Sequence, residues 1–242
     1  MNYALILAGG AGQRMRSTGM PKQFVKLYGK PIIVYTLEKF ELSEYIDKII
    51  IVCRDGYLHL LSEALKPYDI KKVGKVIVGG IERQESLKKG LAAITELGGT
   101  PDDIIVIHDG VRPMVSPNTI KENITTAQKY GCAITVRPVT ETVVISDADN
   151  VNFDDFKKRS DTYSLTSPQT FKLGNIVDAF RKHESRRDIV PLLDAAMVYA
   201  AEGNYIQLVK EYTKNIKITT PEDFYYLKAM VELEENKFIF GL

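Results

Sequence analysis

The sequence predicts an α/β fold whose sheet is doubly wound and mostly parallel. Three observations lead to this prediction. Short runs of β-branched and apolar residues recur at wide intervals, segments with helical apolar spacing separate them, and the runs are apolar on both faces. Strands that are apolar throughout normally lie in parallel sheets with helices above and below. The predicted strands are residues 3–7, 48–52, 76–78, 104–107 and 133–136.

Helices are predicted between these strands, where apolar residues recur every three or four positions. The first such helix follows Pro31, a residue that suits the first turn of a helix. The alternation of strand and helix continues to about residue 135, which is typical of repeated strand–helix units. The two clearest apolar stripes are Ile33, Leu37 and Phe40, and Leu87, Leu91 and Ile94.

Residues 137–170 break this alternation. They contain Pro138, a Thr/Val-rich run and a turn-like Asp-Ala-Asp-Asn sequence. These features predict a protruding β-hairpin arm and not another strand–helix unit. Because no linker rich in Pro, Gly or Ser divides the chain, we expect residues 1–242 to form one domain that carries this arm.

Helical spacing returns after the arm. We expect helices over residues 172–183 and 191–202, and a strand around residues 206–209. Thr219 precedes Pro221 and two acidic residues follow, which is the pattern of a capped helix start. The last helix should turn three apolar side chains towards the core, those of Phe224, Leu227 and Val231.

Composition and charge exclude several classes of protein. The 32 Lys and Arg residues against 31 Asp and Glu leave a net charge of +1, so there is no general basic field for nucleic acid. No apolar run approaches the ~20 residues of a membrane span, and the apolar start leads into glycines like a first strand, unlike a signal peptide. Cys53 and Cys132 are too few for a disulfide framework, so we expect a cytoplasmic protein.

A glycine-rich segment directly follows the first predicted strand. Gly9, Gly10 and Gly12 let the backbone approach an anionic ligand and present N–H groups to phosphate oxygens. They lie at the sheet edge where such folds bind ligands. The alternative is a tight turn that binds nothing. Arg14 and Lys22 add two cations nearby, and these favour phosphate binding.

Two common nucleotide-binding motifs do not describe this segment. The P-loop requires Gly-Lys followed by Ser or Thr, where this chain has Gly12-Gln13-Arg14. The dinucleotide motif GxGxxG, counted from Gly10, requires a glycine where Met15 stands. The segment therefore predicts a different kind of phosphate site.

Five short motifs are spread over nearly the whole chain. They are LAGGAGQRM with PKQF, GGIERQES from Gly79, HDGVRP from His108, SPQTF from Ser167 and NIKIT from Asn215. In this order they resemble the motifs of the 2-C-methyl-D-erythritol 4-phosphate cytidylyltransferases and the related ribitol-5-phosphate cytidylyltransferases. The first motif is shared more widely among sugar-phosphate nucleotidyltransferases, whereas PKQF and HDxxRP are narrower signals. The resemblance implies a Rossmann-like nucleotidyltransferase fold of the GT-A-like type.

The resemblance also implies the reaction. These enzymes join CTP to a polyol phosphate, giving a CDP-polyol and pyrophosphate, with Mg²⁺ as the cofactor. Because the attacking phosphate oxygen is already anionic, the protein has to position two polyanions and neutralise charge, without a general base. The implied catalytic residues are Arg14, Lys22 and Lys217. The implied nucleotide-binding residues are Ala8, Gly9, Gly10, Gly12, Gly80, Arg83, Ser86 and Asp109.

Some of these residues have more than one interpretation. Arg83 either contacts the nucleotide or is a structural clamp, and the sequence favours neither. Asp109 follows an apolar strand and is the candidate metal ligand, where it would help to hold a Mg²⁺ ion bound mainly by phosphates, or would contact the ribose. His108 is interpreted as a packed histidine at a strand end, and His59 and His183 as surface residues.

The arm is implied to bind the acceptor and to form a homodimer. In the family it crosses to a second subunit, so that an arginine of one chain meets the polyol phosphate in the other chain's site. Arg159 falls at the place of that arginine, Thr142 matches an arm threonine, and Ser167 replaces a family threonine. Without the resemblance, Arg159 would be one more charge in a solvated basic run.

Departures from the family pattern bear on the acceptor. Thr140 stands where the erythritol-phosphate enzymes often have Arg, an extra residue precedes PKQF, and Leu193 replaces a usual Thr. These favour D-ribitol 5-phosphate, with 2-C-methyl-D-erythritol 4-phosphate as the alternative. Two other functions stay open at this point: an enzyme that uses another nucleotide or sugar phosphate, and a regulatory module that binds nucleotide without catalysis.

Overall fold

The computed structural model describes residues 1–10, 20–146, 149, 151–185, 192–212 and 215–240, the last four by backbone alone. Seven of its strands form the central sheet, and two short antiparallel pairs lie outside it. The strands are β1 (Asn2–Ala8), β2 (Lys26–Leu27), β3 (Lys30–Pro31), β4 (Lys48–Cys53), β5 (Val73–Val78), β6 (Ile104–Asp109), β7 (Cys132–Pro138), β8 (Val143–Val144), β9 (Phe156–Lys157), β10 (Tyr163–Lys172) and β11 (Leu208–Lys210).

The central sheet is mostly parallel. Its strand order is β11-β7-β10-β6-β1-β4-β5. β1 runs parallel to both β4 and β6, β5 runs parallel to β4, and β11 runs parallel to β7. Only β10, among the described strands of this sheet, is antiparallel to its neighbours. The predicted fold class is therefore confirmed, and each of the five predicted strands is present in the sheet.

Helices cover both faces of the sheet, as doubly wound folds require. Alternate residues of β1 belong to different hydrophobic clusters: Tyr3, Leu5 and Leu7 to one, Ala4 and Ile6 to the other. Each of these β1 side chains is buried. The helices are α1 (Ile32–Glu41), α2 (Leu58–Leu65), α3 (Arg83–Glu96), α4 (Pro117–Tyr130), α5 (Leu173–Glu184), α6 (Ala195–Ala201) and α7 (Pro221–Phe240).

The arm is shorter than the sequence predicts. Residues 163–170 were included in the predicted arm, but they belong to β10, which lies between β6 and β7 inside the central sheet. Its residues Thr166 to Lys172 are buried or half-buried. The protruding part therefore lies between the end of β7 and the start of β10, and the small β8–β9 ladder stiffens it.

The last helix carries a third hydrophobic cluster. The prediction that Leu227 and Val231 face the core is confirmed, and the half-buried Phe224 packs against the same cluster. The Asp223 carboxylate accepts hydrogen bonds from the backbone N–H groups of Thr219 and Thr220, both at 2.8 Å, which closes the start of α7. These contacts fix the chain just after residue 218.

Two further findings concern the cysteines and the apolar character of the helices. Cys53 and Cys132 are both free and completely buried, and burial raises the pKa of the Cys53 thiol to about 11. None of the helices in the described ranges combines the length and apolar character that a membrane span requires.

Close packing between α3 and β1 gives a stability prediction. A Cβ added at Gly90 would lie 2.5 Å from Cδ1 of Leu5, a completely buried side chain with little room to move. We expect Gly90→Val to lower the free energy of unfolding by about 1–3 kcal/mol through overpacking. Denaturant titration measures this loss. Ala92→Val, at an exposed position of the same helix, is the control, and equal losses in the two variants would contradict the close approach.

Candidate active site

A cleft of about 430 Å³ lies at the carboxyl ends of β1, β4, β5 and β6. Parallel α/β sheets bind ligands at this edge, where loops from several strands converge. Segments from distant parts of the sequence meet here, so most of the predicted nucleotide-binding and catalytic residues share one cavity. Those that line it are Ala8, Gly9, Gly10, Lys22, Gly80, Arg83, Ser86, Asp109 and Lys217. Gly12 and Arg14 lie outside the described residues.

The end of β1 forms the floor of the cleft. The side chain of Gln23 donates a hydrogen bond to the carbonyl of Ala8 (2.9 Å), and the N–H of Gly110 donates to the carbonyl of Leu7 (2.9 Å). Lys22, next to Gln23, is more than nine-tenths buried although it lines the cleft. The short turn Lys22–Phe24 therefore places a lysine beside the glycine-rich end of the strand.

One wall of the cleft is the loop before α3. The N–H of Gly80 donates a 3.0 Å hydrogen bond to Oγ of Ser86. A Cβ at Gly80 would lie 2.2 Å from Cβ of Glu85, so the loop requires glycine here. Glu82 and Glu85 form a capping box that fixes the start of the helix. The Ser86 hydroxyl thus holds the loop, and its contact with a nucleotide stays a prediction.

Asp109 is the centre of the charged part of the cleft. It ends β6 and is almost completely buried. Nη1 of Arg83 donates to its Oδ1 at 2.8 Å, while Nε of Arg112 and Nζ of Lys217 each lie 3.1 Å from Oδ2. Burial by itself would raise the pKa of this carboxyl, but Arg83, Lys217 and Arg112 outweigh it and hold the pKa far below its usual value. Three cations around one anion leave this corner of the cleft positive.

The ion pair to Asp109 distinguishes between the two interpretations of Arg83. Its guanidinium binds a buried carboxylate across 26 positions of sequence, and one third of the side chain remains exposed to the cleft. This geometry favours the structural clamp, because the ion pair ties the start of α3 to the end of β6. The clamp also places a guanidinium where an anionic ligand would meet it.

His108 is a packed histidine and not a candidate base. It is completely buried, its ring lies 5.1 Å from that of Phe40, and burial lowers its pKa to about 4. Nε2 lies 3.0 Å from the Arg112 carbonyl, which only accepts, so the ring donates there. Nδ1 then accepts from Oγ of Ser167 at 3.0 Å. The histidine is therefore neutral, and both of its nitrogens bind protein groups.

Ser167, which is predicted to bind the acceptor, is buried. It is 3% exposed and is not among the described residues that line the cleft. Its hydroxyl donates to His108 and accepts a long 3.4 Å hydrogen bond from the N–H of Asp109. These bonds let Ser167 support the end of β6, and its predicted contact with an acceptor stays a prediction.

Asn215 and Arg112 position Lys217. The buried Asn215 side chain donates to the Ser167 carbonyl (2.9 Å), and the backbone carbonyl of Asn215 accepts from Nη1 of Arg112 (2.9 Å). The N–H of Ile218 then donates to the Val111 carbonyl (2.9 Å). These bonds hold both sides of Lys217 against the loop after β6. Asn215 and Arg112 both belong to the motifs quoted above, but only the structure shows that they position Lys217.

The two arm residues lie away from the cleft of their own chain. Thr142 and Arg159 are exposed on the arm, and neither is among the described residues that line the cleft. The structure therefore does not bring them together with the other predicted site residues, and their contact with an acceptor stays a prediction. Conversely, the structure adds a cleft residue that the sequence analysis missed: Arg54, which directly follows β4.

The sequence interpretation of His183 was wrong. The sequence predicts that His59 and His183 are surface residues, and His59 is indeed exposed. His183, however, is 4% exposed in α5, with Nδ1 3.3 Å from Oε1 of Glu202. Local helical spacing did not reveal that α6 and the turn after it cover this face of α5.

Comparison with known proteins places this geometry in a family. Residues 3–233 match the family model described as IspD, 2-C-methyl-D-erythritol 4-phosphate cytidylyltransferase. The chain belongs to this family. It is accordingly a CTP-dependent nucleotidyltransferase that transfers a cytidylyl group to a polyol phosphate. The match favours catalysis with CTP over the two other functions that the sequence left open.

Similar proteins cover the whole chain. A ribitol-5-phosphate cytidylyltransferase of Vibrio parahaemolyticus serotype O3:K6 is 40% identical over 242 residues, and one of Streptococcus agalactiae serotype III is 36% identical over 242 residues; both alignments cover all of both chains. Among solved structures, 4-diphosphocytidyl-2C-methyl-D-erythritol synthase of Anaerococcus prevotii is 25% identical with a TM-score of 0.80, covering 96% of both chains. The Francisella tularensis 2-C-methyl-D-erythritol 4-phosphate cytidylyltransferase is 28% identical with a TM-score of 0.75, covering 93% of this chain and 97% of that one.

The buried His108 gives a prediction about pH. The unfolded chain binds a proton near pH 6.5, whereas the folded protein holds His108 neutral until about pH 4. Between these values the unfolded state binds more protons, so the free energy of unfolding falls as the pH is lowered, by up to about 1.4 kcal/mol per pH unit.

We expect His108→Gln to be less stable at pH 7 but to lose less stability between pH 6.5 and pH 4. Denaturant titrations across this range measure the difference, on the order of 2–3 kcal/mol. His59→Gln, at an exposed site, should follow the wild-type pH dependence. If His108→Gln kept the same pH slope as the wild type, His108 would not be neutral in the folded state.

Proposed function

We propose that the acceptor of this cytidylyltransferase is D-ribitol 5-phosphate. The observation that carries this proposal is the full-length similarity, at 36–40% identity, to proteins named ribitol-5-phosphate cytidylyltransferases. The departures at Thr140 and Leu193 and the extra residue before PKQF support it independently. The alternative acceptor is 2-C-methyl-D-erythritol 4-phosphate, which the solved relatives' names contain.

The residues of the cleft support an in-line displacement at the α-phosphorus of CTP. An oxygen of the acceptor phosphate attacks, and pyrophosphate leaves on the opposite side. The nucleophile is anionic and needs no base, which agrees with the inward-facing, neutral His108. Lys22 and Lys217 would neutralise the charge that builds up, and the amides of Gly9 and Gly10 would bind phosphate oxygens.

We propose Mg²⁺ as the cofactor. No group of three or more His, Cys, Asp or Glu side chains among the described residues could hold a metal ion. Two carboxylates line the cleft: that of Glu82 caps the start of α3, whereas that of Asp109 lies close to Lys217. A single protein carboxylate suits a hard divalent ion whose other ligands are phosphate oxygens and water. When bound, such an ion would neutralise phosphate charge, and Asp109 would give up at least one of its present cations to contact it.

We propose that the arm forms a homodimer and completes the acceptor site of the second subunit. The arm carries several exposed apolar side chains, of which Phe153 is 89% exposed. Such a cluster is costly in water and favours burial against a partner. Thr142 and Arg159 lie on the same arm and away from their own cleft. The exposed apolar residues of the arm are Val144, Ile145, Val151, Phe153 and Phe156.

We propose a cytoplasmic location. The two buried thiols, Cys53 and Cys132, are unpaired, and free thiols are usual in a reducing compartment. CTP and the polyol phosphate both carry charged phosphates, which do not cross membranes unaided. Both substrates therefore stay in the cytoplasm. The location is consistent with the reaction that the family membership gives.

Product formation tests the proposed acceptor. With CTP and Mg²⁺, we expect pyrophosphate release and a CDP-polyol with D-ribitol 5-phosphate, and kcat/KM at least about tenfold lower with 2-C-methyl-D-erythritol 4-phosphate, since the site is built to bind one polyol's hydroxyl groups. Mass spectrometry of the product and a pyrophosphate assay measure both. A preference for the erythritol phosphate would replace the proposed acceptor with the alternative.

Mixing two defective variants tests whether the arm serves the second subunit. Lys217→Ala should lose about 10²–10³-fold in kcat/KM, since it removes a charge-stabilising donor, and Arg159→Ala should weaken acceptor binding. If the arm crosses, a hybrid dimer of the two variants has one intact site. Since half of the randomly mixed dimers are hybrids, about a quarter of the wild-type activity should return.

The control pair is Lys217→Ala mixed with Arg83→Ala, because both changes lie in the same cleft and no hybrid has an intact site. Light scattering gives the oligomeric state of each sample. A monomer, or a dimer in which mixing restores nothing, would contradict the proposed arm.

A further inference from the structure

Arg54 occupies a defined part of the cleft. It follows the last residue of β4, Cys53, which pairs with Ala8 of β1 on one side and with Val78 of β5 on the other. The N–H of Gly79 donates to the Cys53 carbonyl at 2.7 Å. Arg54 therefore lies one residue beyond these partners, between the glycine-rich end of β1 and the loop that leads to Gly80 and Ser86.

Aromatic packing positions this arginine at the rim. Its guanidinium lies 5.9 Å from the centre of the Tyr57 ring, a distance that allows a cation–π contact. Tyr57 in turn meets Phe24 edge-on, with the ring centres 6.3 Å apart and the planes at 89°. Phe24 is buried and belongs to the same short turn as Lys22. The segment that carries the catalytic lysine thus also supports Arg54.

Arg54 is separated from the charged corner of the cleft. Arg83 and Lys217 are paired with Asp109, whereas Arg54 forms no ion pair within the described part of the chain. Asp109 pairs in the sheet with Leu7, on the opposite side of β1 from β4. The two strand ends are two strand spacings apart, or about 10 Å. Arg54 therefore lies at the nucleoside end of the cleft, if the triphosphate and acceptor occupy the Asp109 corner.

We propose that the Arg54 guanidinium binds the O2 and N3 atoms of the cytosine ring and selects CTP against UTP. This proposal rests on the proposed function, cytidylyl transfer from CTP, and on the prediction that Gly80 and Ser86 bind the nucleotide. Cytosine presents two adjacent acceptors on this edge, and guanidinium presents two parallel N–H donors that match them. In uracil N3 carries a hydrogen, so a donor would face a donor.

The test compares CTP with UTP in four proteins at a saturating concentration of the acceptor. They are the wild type, Arg54→Ala, Arg54→Lys and the control Lys66→Ala, which removes an exposed cation outside the cleft. We expect Arg54→Ala to lower kcat/KM for CTP about tenfold and to leave that for UTP within about twofold, because a bidentate pair is lost only with cytosine. Arg54→Lys keeps the positive charge but lacks the two parallel N–H donors, so it should lose the same selectivity.

Two outcomes would overturn the proposal. An equal loss with CTP and UTP would make Arg54 a phosphate-binding cation, and kinetics like those of Lys66→Ala would make it a surface residue. Thermal melting checks that the variants are folded, which we expect because Arg54 is exposed.

Calorimetric binding of CTP and UTP without acceptor separates this proposal from the proposed function. A wild type that forms no CDP-polyol but binds CTP in preference to UTP, with the preference lost in Arg54→Ala, would keep the role of Arg54 and reject the catalytic assignment. A wild type that forms CDP-polyol while Arg54→Ala keeps its full preference for CTP would keep the catalytic assignment and reject the role of Arg54.

Discussion

The buried Asp109 carboxylate joins three parts of the chain that are far apart in sequence. Arg83 brings the start of α3 to it, Arg112 the loop after β6, and Lys217 the segment before α7. Removing one partner of a buried ion pair commonly costs about 3–5 kcal/mol, because the remaining charge is left without compensation. The position of each cation therefore depends on this one carboxylate.

The same arrangement explains how the cleft can receive two polyanions. Cations that are already held in place need no reorganisation when charge develops at a phosphorus atom. A second layer of hydrogen bonds supports them from below: His108 and Ser167 hold the end of β6, and Asn215 holds the segment of Lys217. Each of these polar groups is buried, so a lost partner would be costly and the layer is rigid.

Particular residues show why sequence patterns described some elements and not others. β1 and β4 consist of apolar residues in uninterrupted runs, so their burial was visible locally. The predicted arm extends to residue 170 and so includes most of β10, in which Thr166, Ser167, Gln169 and Thr170 are polar yet buried. Their hydroxyl and amide groups bind partners such as Asn123, Thr135 and Ala196, which lie on other elements. Hydrophobic periodicity cannot reveal a strand whose burial depends on such pairing.

The sequence by itself determined the fold class, the strand and helix order of the first half and the presence of a phosphate site, since these follow from local apolar patterns and from motifs whose spacing is short. It also placed Lys22, Lys217 and Asp109 in one site through the family resemblance. Only the tertiary structure decided that Arg83 clamps Asp109, that Ser167 supports the end of β6 and that Arg54 lines the cleft. Each of these depends on where a side chain meets residues that are distant in sequence, and that distance is set by the packing of the whole sheet.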